Sequence, residues 1–326
     1  MSETDPAALG GQPFANETGG EQLLATGVLK EFCGFLMNRP SYLVGYLIVA
    51  LVALSGLVAP LLPLASPVDA DAGAYLLPPS WAHPMGTDSA GLDVFSRVLF
   101  APRVDLAIAL VSTCWAACFG SVAGAFVGLW EERGGIKSGA ATLILRMADV
   151  IQAFPVFALA LVLVAVLGQG MTSIIIAIGI VNLPLYLRLM RGEVLRIRDQ
   201  SYVEAAHIAG AGDIYLLTRH IVPNAAPPLL AQMSINTGVV VLLAAGLSFI
   251  GAGVRAPTPE WGSMIAMGFQ NVVTGQWWPS MFPGLALALT VFGLGRIGAS
   301  ILAWTNPRER SRPTRRAWKA FTEGRN

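Results

Sequence analysis

Six stretches of this chain are long and apolar enough to cross a bilayer, and that fact restricts the fold more than any other. They cover about 41–65, 104–130, 143–168, 171–190, 225–252 and 279–304. About 20 apolar residues in a helix span the ~30 Å of hydrocarbon. With no water to satisfy backbone groups there, a spanning segment must be a helix or part of a closed barrel. Barrel strands alternate in hydropathy over about ten residues, and the unbroken run Leu159–Leu167 does not. The expected fold is therefore all-α, a polytopic membrane protein with six transmembrane helices. Only 13% of the 326 residues are charged, against about a quarter in soluble domains.

Charge supplies the orientation. With the N-terminus inside, the cytosolic segments hold 17 Lys or Arg and the external ones three, Arg97, Arg103 and Arg255, with Arg296 inside the last span. Positive charge accumulates on the cytosolic side, so both termini and the segment around Glu204 are expected there. The net charge of +1 gives no reason to expect nucleic acid. The seven basic residues between Arg308 and Arg325 fit an anchor against anionic membrane lipid.

Three parts follow: a partly disordered cytosolic segment 1–40, a six-helix transmembrane region 41–305 and a basic tail 306–326. Residues up to about Glu21 are polar, with few aromatics, as in disordered chains. The first span lies too far from the terminus for a cleaved signal. Cys33, Cys114 and Cys118 make no metal-like set and read as small packing residues. His83 has no second His or Cys nearby, so no metal is expected.

Local patterns add detail. Gly120, Gly124 and Gly128 form a ridge that lets another helix approach. Arg146 and Asp149 stand one turn apart and are expected to pair. Pro155 is expected to kink the third span, and Pro184 the fourth. Gln232 and Asn236 share a face of the fifth span, pointing to packing against a partner helix or to a water-filled path. In the first external loop, Gly86 and Gly91 permit turns, and Thr87 or Asp88 can cap the next helix. Residues Leu247–Val254 and Pro257–Gly262 read as a helix end, a turn and a short outer helix. Trp277 and Trp278 then suit the outer interface.

Glu204, Ala205 and Ala206 are followed by Ala209, Gly210, Ala211 and Gly212, then by Arg219, His220, Pro223 and Asn224. This run resembles the EAA loop of ATP-binding-cassette (ABC) importer permeases, in the version of the dipeptide, oligopeptide and nickel permeases. His83, Pro84, Gly86, Thr87, Asp88, Gly91 and Asp93 resemble that family's outer-loop signature, with Leu92 where the family usually has Arg. Residues 247–262 resemble a third stretch of the same family. The sixth span departs from it: aligned on Pro307, Gly295, Ala299, Leu302 and Ala303 replace polar or charged residues.

The resemblance implies a type I ABC importer transmembrane domain in the inner membrane, non-catalytic in itself. It implies a second homologous permease subunit, two ABC ATPase subunits that bind ATP and Mg, and an external solute-binding protein. A short helix over 204–218 would dock in a groove of the ATPase and carry its motion to the membrane. Di- or oligopeptides are the expected solute, with nickel, glutathione, opine or oligosaccharide as alternatives. The chain has no P-loop of its own: Lys137-Ser138 follows Ile136, where Gly is required. A secondary transporter would want ionisable groups at mid-membrane, and only Arg296 is a candidate. A membrane enzyme would want a catalytic constellation, and the three His lie apart.

Overall fold

The computed structural model describes residues 30–131 and 134–306. The disorder expected up to Glu21, the basic tail and Pro307 lie outside the described residues. Helices dominate, with no strand among the described residues beyond an isolated bridge between Thr87 and Asp93.

A short helix at 30–37 leads into α1 (Pro40–Val58). After the external loop come α2 (Val94–Phe100) and the long α3 (Pro102–Trp130). Next are α4 (Gly135–Ala153), α5 (Val156–Leu167) and α6 (Met171–Arg198). The short α7 (Ser201–Ile208) precedes a turn, a one-turn helix Asp213–Tyr215 and a π-helical stretch Leu216–Ile221 that runs into α8 (Val222–Phe249). An outer helix α9 (Trp261–Val272) and the last span α10 (Trp278–Thr305) complete the bundle.

Five helical stretches are long and apolar enough to cross a membrane, and α4 with α5 forms a sixth, bent by 93°. The expected kink at Pro155 is thus a full break. Pro155 offers no N–H and its ring excludes a continuing helix, so Phe154 turns extended (ψ 143°) and α5 starts afresh. Pro184, by contrast, sits inside α6 without dividing it.

Apolar burial drives little in lipid, so close approach between backbones must hold the bundle. The ridge of α3 shows it. A Cβ on Gly120 would stand 2.7 Å from the Leu183 carbonyl, and one on Gly128 2.7 Å from Val194 Cβ, both on α6. Gly124 lies between them, directly against the Leu187 carbonyl. Around this pair a central core gathers Ile108, Val164, Ile178, Val241 and Leu294 from α3, α5, α6, α8 and α10. A second core at one end joins Leu129 and Val194 to Val203, Leu217 and Ile221, so the 201–221 segment is anchored to α3 and α6.

Some expectations are corrected. Cys33, Cys114 and Cys118 are exposed free thiols, so they do not pack inside this subunit. Arg296 is not deep in isolation: its guanidinium donates to Ser41 Oγ at 2.9 Å and lies over the Tyr42 ring, against the first turn of α1.

Candidate functional site: an anchored helical hairpin and an outer scaffold

The Glu204 segment is a helical hairpin rather than one helix over 204–218. In α7, Glu204 and Ala205 point outward while Val203 is buried. Gly210 (φ +89°) ends the helix. Its N–H donates to the His207 carbonyl at 2.9 Å, and the Ala211 N–H reaches back to the Ala206 carbonyl at 3.0 Å. That double bond pattern is the Schellman closure, which wants a left-handed residue where Gly210 stands. No heavy atom lies within 4 Å of a Cβ built there, so the need for Gly is conformational. Gly212 then starts the second arm, with Ala209 and Ala211 filling the turn.

That arm enters the membrane through a π-helical turn. Pro223 has no N–H to give, and its ring would meet the carbonyl four residues back. Widening the helix at Leu216–Ile221 accommodates both. The Asn224 side chain donates to the His220 carbonyl at 2.6 Å and to Tyr202 Oη at 3.3 Å, and the His220 ring lies between Tyr202 and Tyr215. These contacts tie the two arms together.

The hairpin is firm at its base and bare at its tip. Leu216, Leu217 and Ile221 are buried. At the tip Ile208 is 79% and Ile214 71% exposed, with Tyr215 and Arg219 also exposed. Glu204 makes no ion pair among the described residues; Lys137 of α4 pairs with Asp213 at 3.8 Å. A cavity of about 500 Å³ opens beside the hairpin, lined by Arg198, Val203, Glu204 and His207 among others. Beneath it, Arg191 holds Glu131 by two 2.8 Å hydrogen bonds. That hydrogen bonding pulls the Glu131 carboxyl below its ordinary pKa.

The outer-loop residues form a scaffold. Thr87 Oγ1 accepts from the Leu77 N–H at 2.8 Å and donates to the Ala74 carbonyl. Asp88 Oδ1 accepts from the N–H groups of Ala90 and Leu92. Asp93, rather than Thr87 or Asp88, caps α2, through the Ser96 N–H at 2.7 Å, and its other oxygen holds His83 Nδ1 at 2.8 Å. Gly86 (φ +73°) and Gly91 (φ +77°) take backbone shapes that favour glycine. Pro84 is exposed, and Leu92 is buried. Trp278 is not an interfacial belt residue: it is buried, and its Nε1 donates to the Thr87 carbonyl at 3.1 Å. Trp277 keeps an exposed face. Residues 247–262 close the same region: Gly251 ends α8, and the buried Glu260 caps α9 through the N–H groups of Gly262 and Ser263.

Asn236 is buried, and its amide donates to Tyr186 Oη at 3.1 Å, linking α8 to α6; Gln232 is half-buried nearby. Asp149 pairs with Arg146 at 3.5 Å, as the spacing suggested, and with Arg188 of α6 at 2.6 Å. Sequence reasoning missed Arg188, since nothing in its spacing announces a partner 39 residues away. It also missed Ile208, Ile214 and Tyr215, although isolated apolar residues in a polar loop are a signal in themselves. No group of three or more His, Cys, Asp or Glu able to hold a metal occurs among the described residues.

Residues 120–311 match the family described as binding-protein-dependent transport system inner membrane component. A probable D,D-dipeptide transport system permease protein of Escherichia coli (strain K12) is 38% identical over 84% of this chain and 89% of its own. A di/tripeptide transport system permease protein of Pseudomonas aeruginosa is 34% identical over 86% and 92%. A glutathione transport system permease protein of another Escherichia coli strain is 36% identical over 71% and 74%. Among solved structures, a chain of the inward-facing methionine ABC transporter MetNI superposes with a TM-score of 0.51. It covers 64% of this chain and 94% of that one at 19% identity, which is a likeness of fold.

Proposed function

The chain belongs to the binding-protein-dependent transport system inner membrane components, and on that premise we propose that it carries di- or oligopeptides and meets its ATPase through the hairpin at 201–224. As a member of that family it is a multi-pass inner-membrane permease subunit of an ABC importer. It is non-catalytic, and ATP is hydrolysed by a partner. The relatives named for dipeptides and di/tripeptides support the peptide solute. Glutathione, itself a short peptide, is the second reading, supported by the glutathione relative.

The observation that carries the coupling role is the bare tip of Ile208, Ile214 and Tyr215 on a base buried against α3 and α6. A helix presented to a groove transmits force when both are rigid. Here the base is anchored by Leu216, Leu217 and Ile221, and the arms are joined through His220 and Asn224. Ala205, Ala209 and Gly212 keep the element slim. Glu204 and Arg219 flank the tip with opposite charges that can orient a partner. In this reading both termini and the hairpin are cytosolic, a homologous permease completes a heterodimer, and two ATPase subunits carry ATP and Mg. The outer scaffold around His83 and Asp93 faces the solute-binding protein.

The test is a mild-detergent pull-down of the tagged chain from its own host, followed by peptide uptake in vesicles. Co-purification of a P-loop ATPase and a second permease, with ATP-dependent peptide uptake, is expected. Transport by the chain alone, without ATP, would overturn the reading.

A further inference from the structure

We propose that the break between α4 and α5, with Gln152, Asp149 and Arg188 beside it, faces the water-filled path through which solute crosses. The inference rests on the importer reading and adds a wall to it.

Depth comes first. Helix α5 has 12 residues, about 18 Å at 1.5 Å per residue. Just past its far end, Gln169 Nε2 donates to the Gly251 carbonyl at 2.7 Å, level with the end of the full-length span α8. Starting from that edge, α5 cannot traverse ~30 Å of hydrocarbon. With the end of α8 taken as the membrane edge, the ~18 Å of α5 stops short of the opposite face, which puts residues 153–156 within the hydrocarbon.

At that depth the chain is irregular and open. Pro155 gives no N–H, no side chain caps either helix end at the break, and all of residues 152–158 are exposed. Gln152 has no hydrogen-bond partner among the described residues. On the preceding turn Asp149 and Arg188 form their 2.6 Å pair with each side chain 46% exposed. Irregular backbone is not tolerated against lipid at membrane depth; it occurs where protein covers it or water fills the space. Charged groups there likewise face a bundle interior or an aqueous cavity. The uncapped helix ends, the Gln152 amide and the half-exposed Asp149–Arg188 pair all call for polar neighbours at that depth. Water meets all of them. The stripe Leu47, Leu51 and Leu54 on α1 is exposed as well but wholly apolar, which is what a lipid-facing surface looks like.

The experiment is thiol labelling of the assembled transporter in membrane vesicles. Cys33, Cys114 and Cys118 are first replaced by Ser, and co-purification of the ATPase with that background shows the complex intact. Gln152→Cys and Leu51→Cys are then exposed to a membrane-impermeant trimethylammonium methanethiosulfonate, with and without ATP. A thiol in hydrocarbon ionises poorly, and each unit of pKa removes about tenfold of the reactive thiolate. Gln152→Cys is expected to react at least about tenfold faster than Leu51→Cys, at a rate that ATP alters. Equal rates for the two in both conditions would overturn the proposal while leaving the importer reading in place. Loss of the ATPase from the background complex would instead count against the importer reading. If Gln152→Cys fails to assemble, Phe154→Cys takes its place, with the same outcomes deciding.

Discussion

Two glycines of this chain are needed for opposite reasons, and substitution separates them. Gly124 sits where α3 meets the backbone of α6, so a Cβ there falls on the Leu187 carbonyl. A backbone atom cannot swing aside as a side chain does. Gly124→Ala is expected to destabilise by about 1–3 kcal/mol, the usual range for overpacking, read as a lower unfolding temperature in detergent. Gly210 has open space around it and a φ of +89°. Its replacement strains the turn by roughly 1 kcal/mol and leaves the bundle alone. Gly210→Val should therefore uncouple uptake and weaken ATPase retention while the protein stays in the membrane. Gly210→Asn should be milder, because Asn tolerates the left-handed region. Wild-type uptake with Gly210→Val would count against the hairpin as the coupling element.

At the scale of elements, the end of α3 and the C-terminal half of α6 are fastened by Glu131 and Arg191. The hydrogen-bonded Arg191 lowers the Glu131 pKa, so the pair's contribution is complete above the ordinary carboxylate value of about 4.3. It fades as pH falls through the lowered folded value. Glu131→Gln is expected to unfold at a lower temperature than wild type at neutral pH, with the two curves converging in acid. A gap that persists unchanged in acid would remove the pair from the account. This link also shows what the sequence could tell. Long apolar runs declare spans, because lipid forces every such run into a helix, and the glycine ridge of α3 was readable from its spacing. The partner of the ridge was not, and neither were Arg188 for Asp149 or Arg191 for Glu131. Those depend on which helices become neighbours, a property of packing that no local period encodes. The break at Pro155 was half legible: the residue predicted a bend, but its size depends on how little packs around residues 152–158. The Ala-rich sequence of the hairpin favours a single helix locally, and it is the left-handed Gly210 that ends the first arm.

For the whole molecule, the orientation and the docking surface make one joint prediction. The bias of 17 basic residues against three predicts that the 201–224 hairpin lies inside and the loop between α9 and α10 outside. Val273, in that outer loop, is 92% exposed. In a background whose three native cysteines are replaced by Ser, Val273→Cys should react with an impermeant thiol reagent added to intact cells, and Ile208→Cys should not. In inverted vesicles the order should reverse. If Ile208 is covered by the ATPase, its labelling should rise several-fold once the ATPase is stripped off, while labelling at Val273→Cys stays constant. The two halves fail independently. Labelling of both sites from one side would refute the orientation. Labelling of Ile208→Cys that ignores the ATPase would leave the orientation standing and move the contact away from the hairpin tip. Success of both would connect the exposed apolar tip, the buried base on α3 and α6, and the open break between α4 and α5 through one packed body. Motion imposed on the tip would then reach the wall of the path through α6, which carries Val194 against the hairpin's base and Arg188 against Asp149.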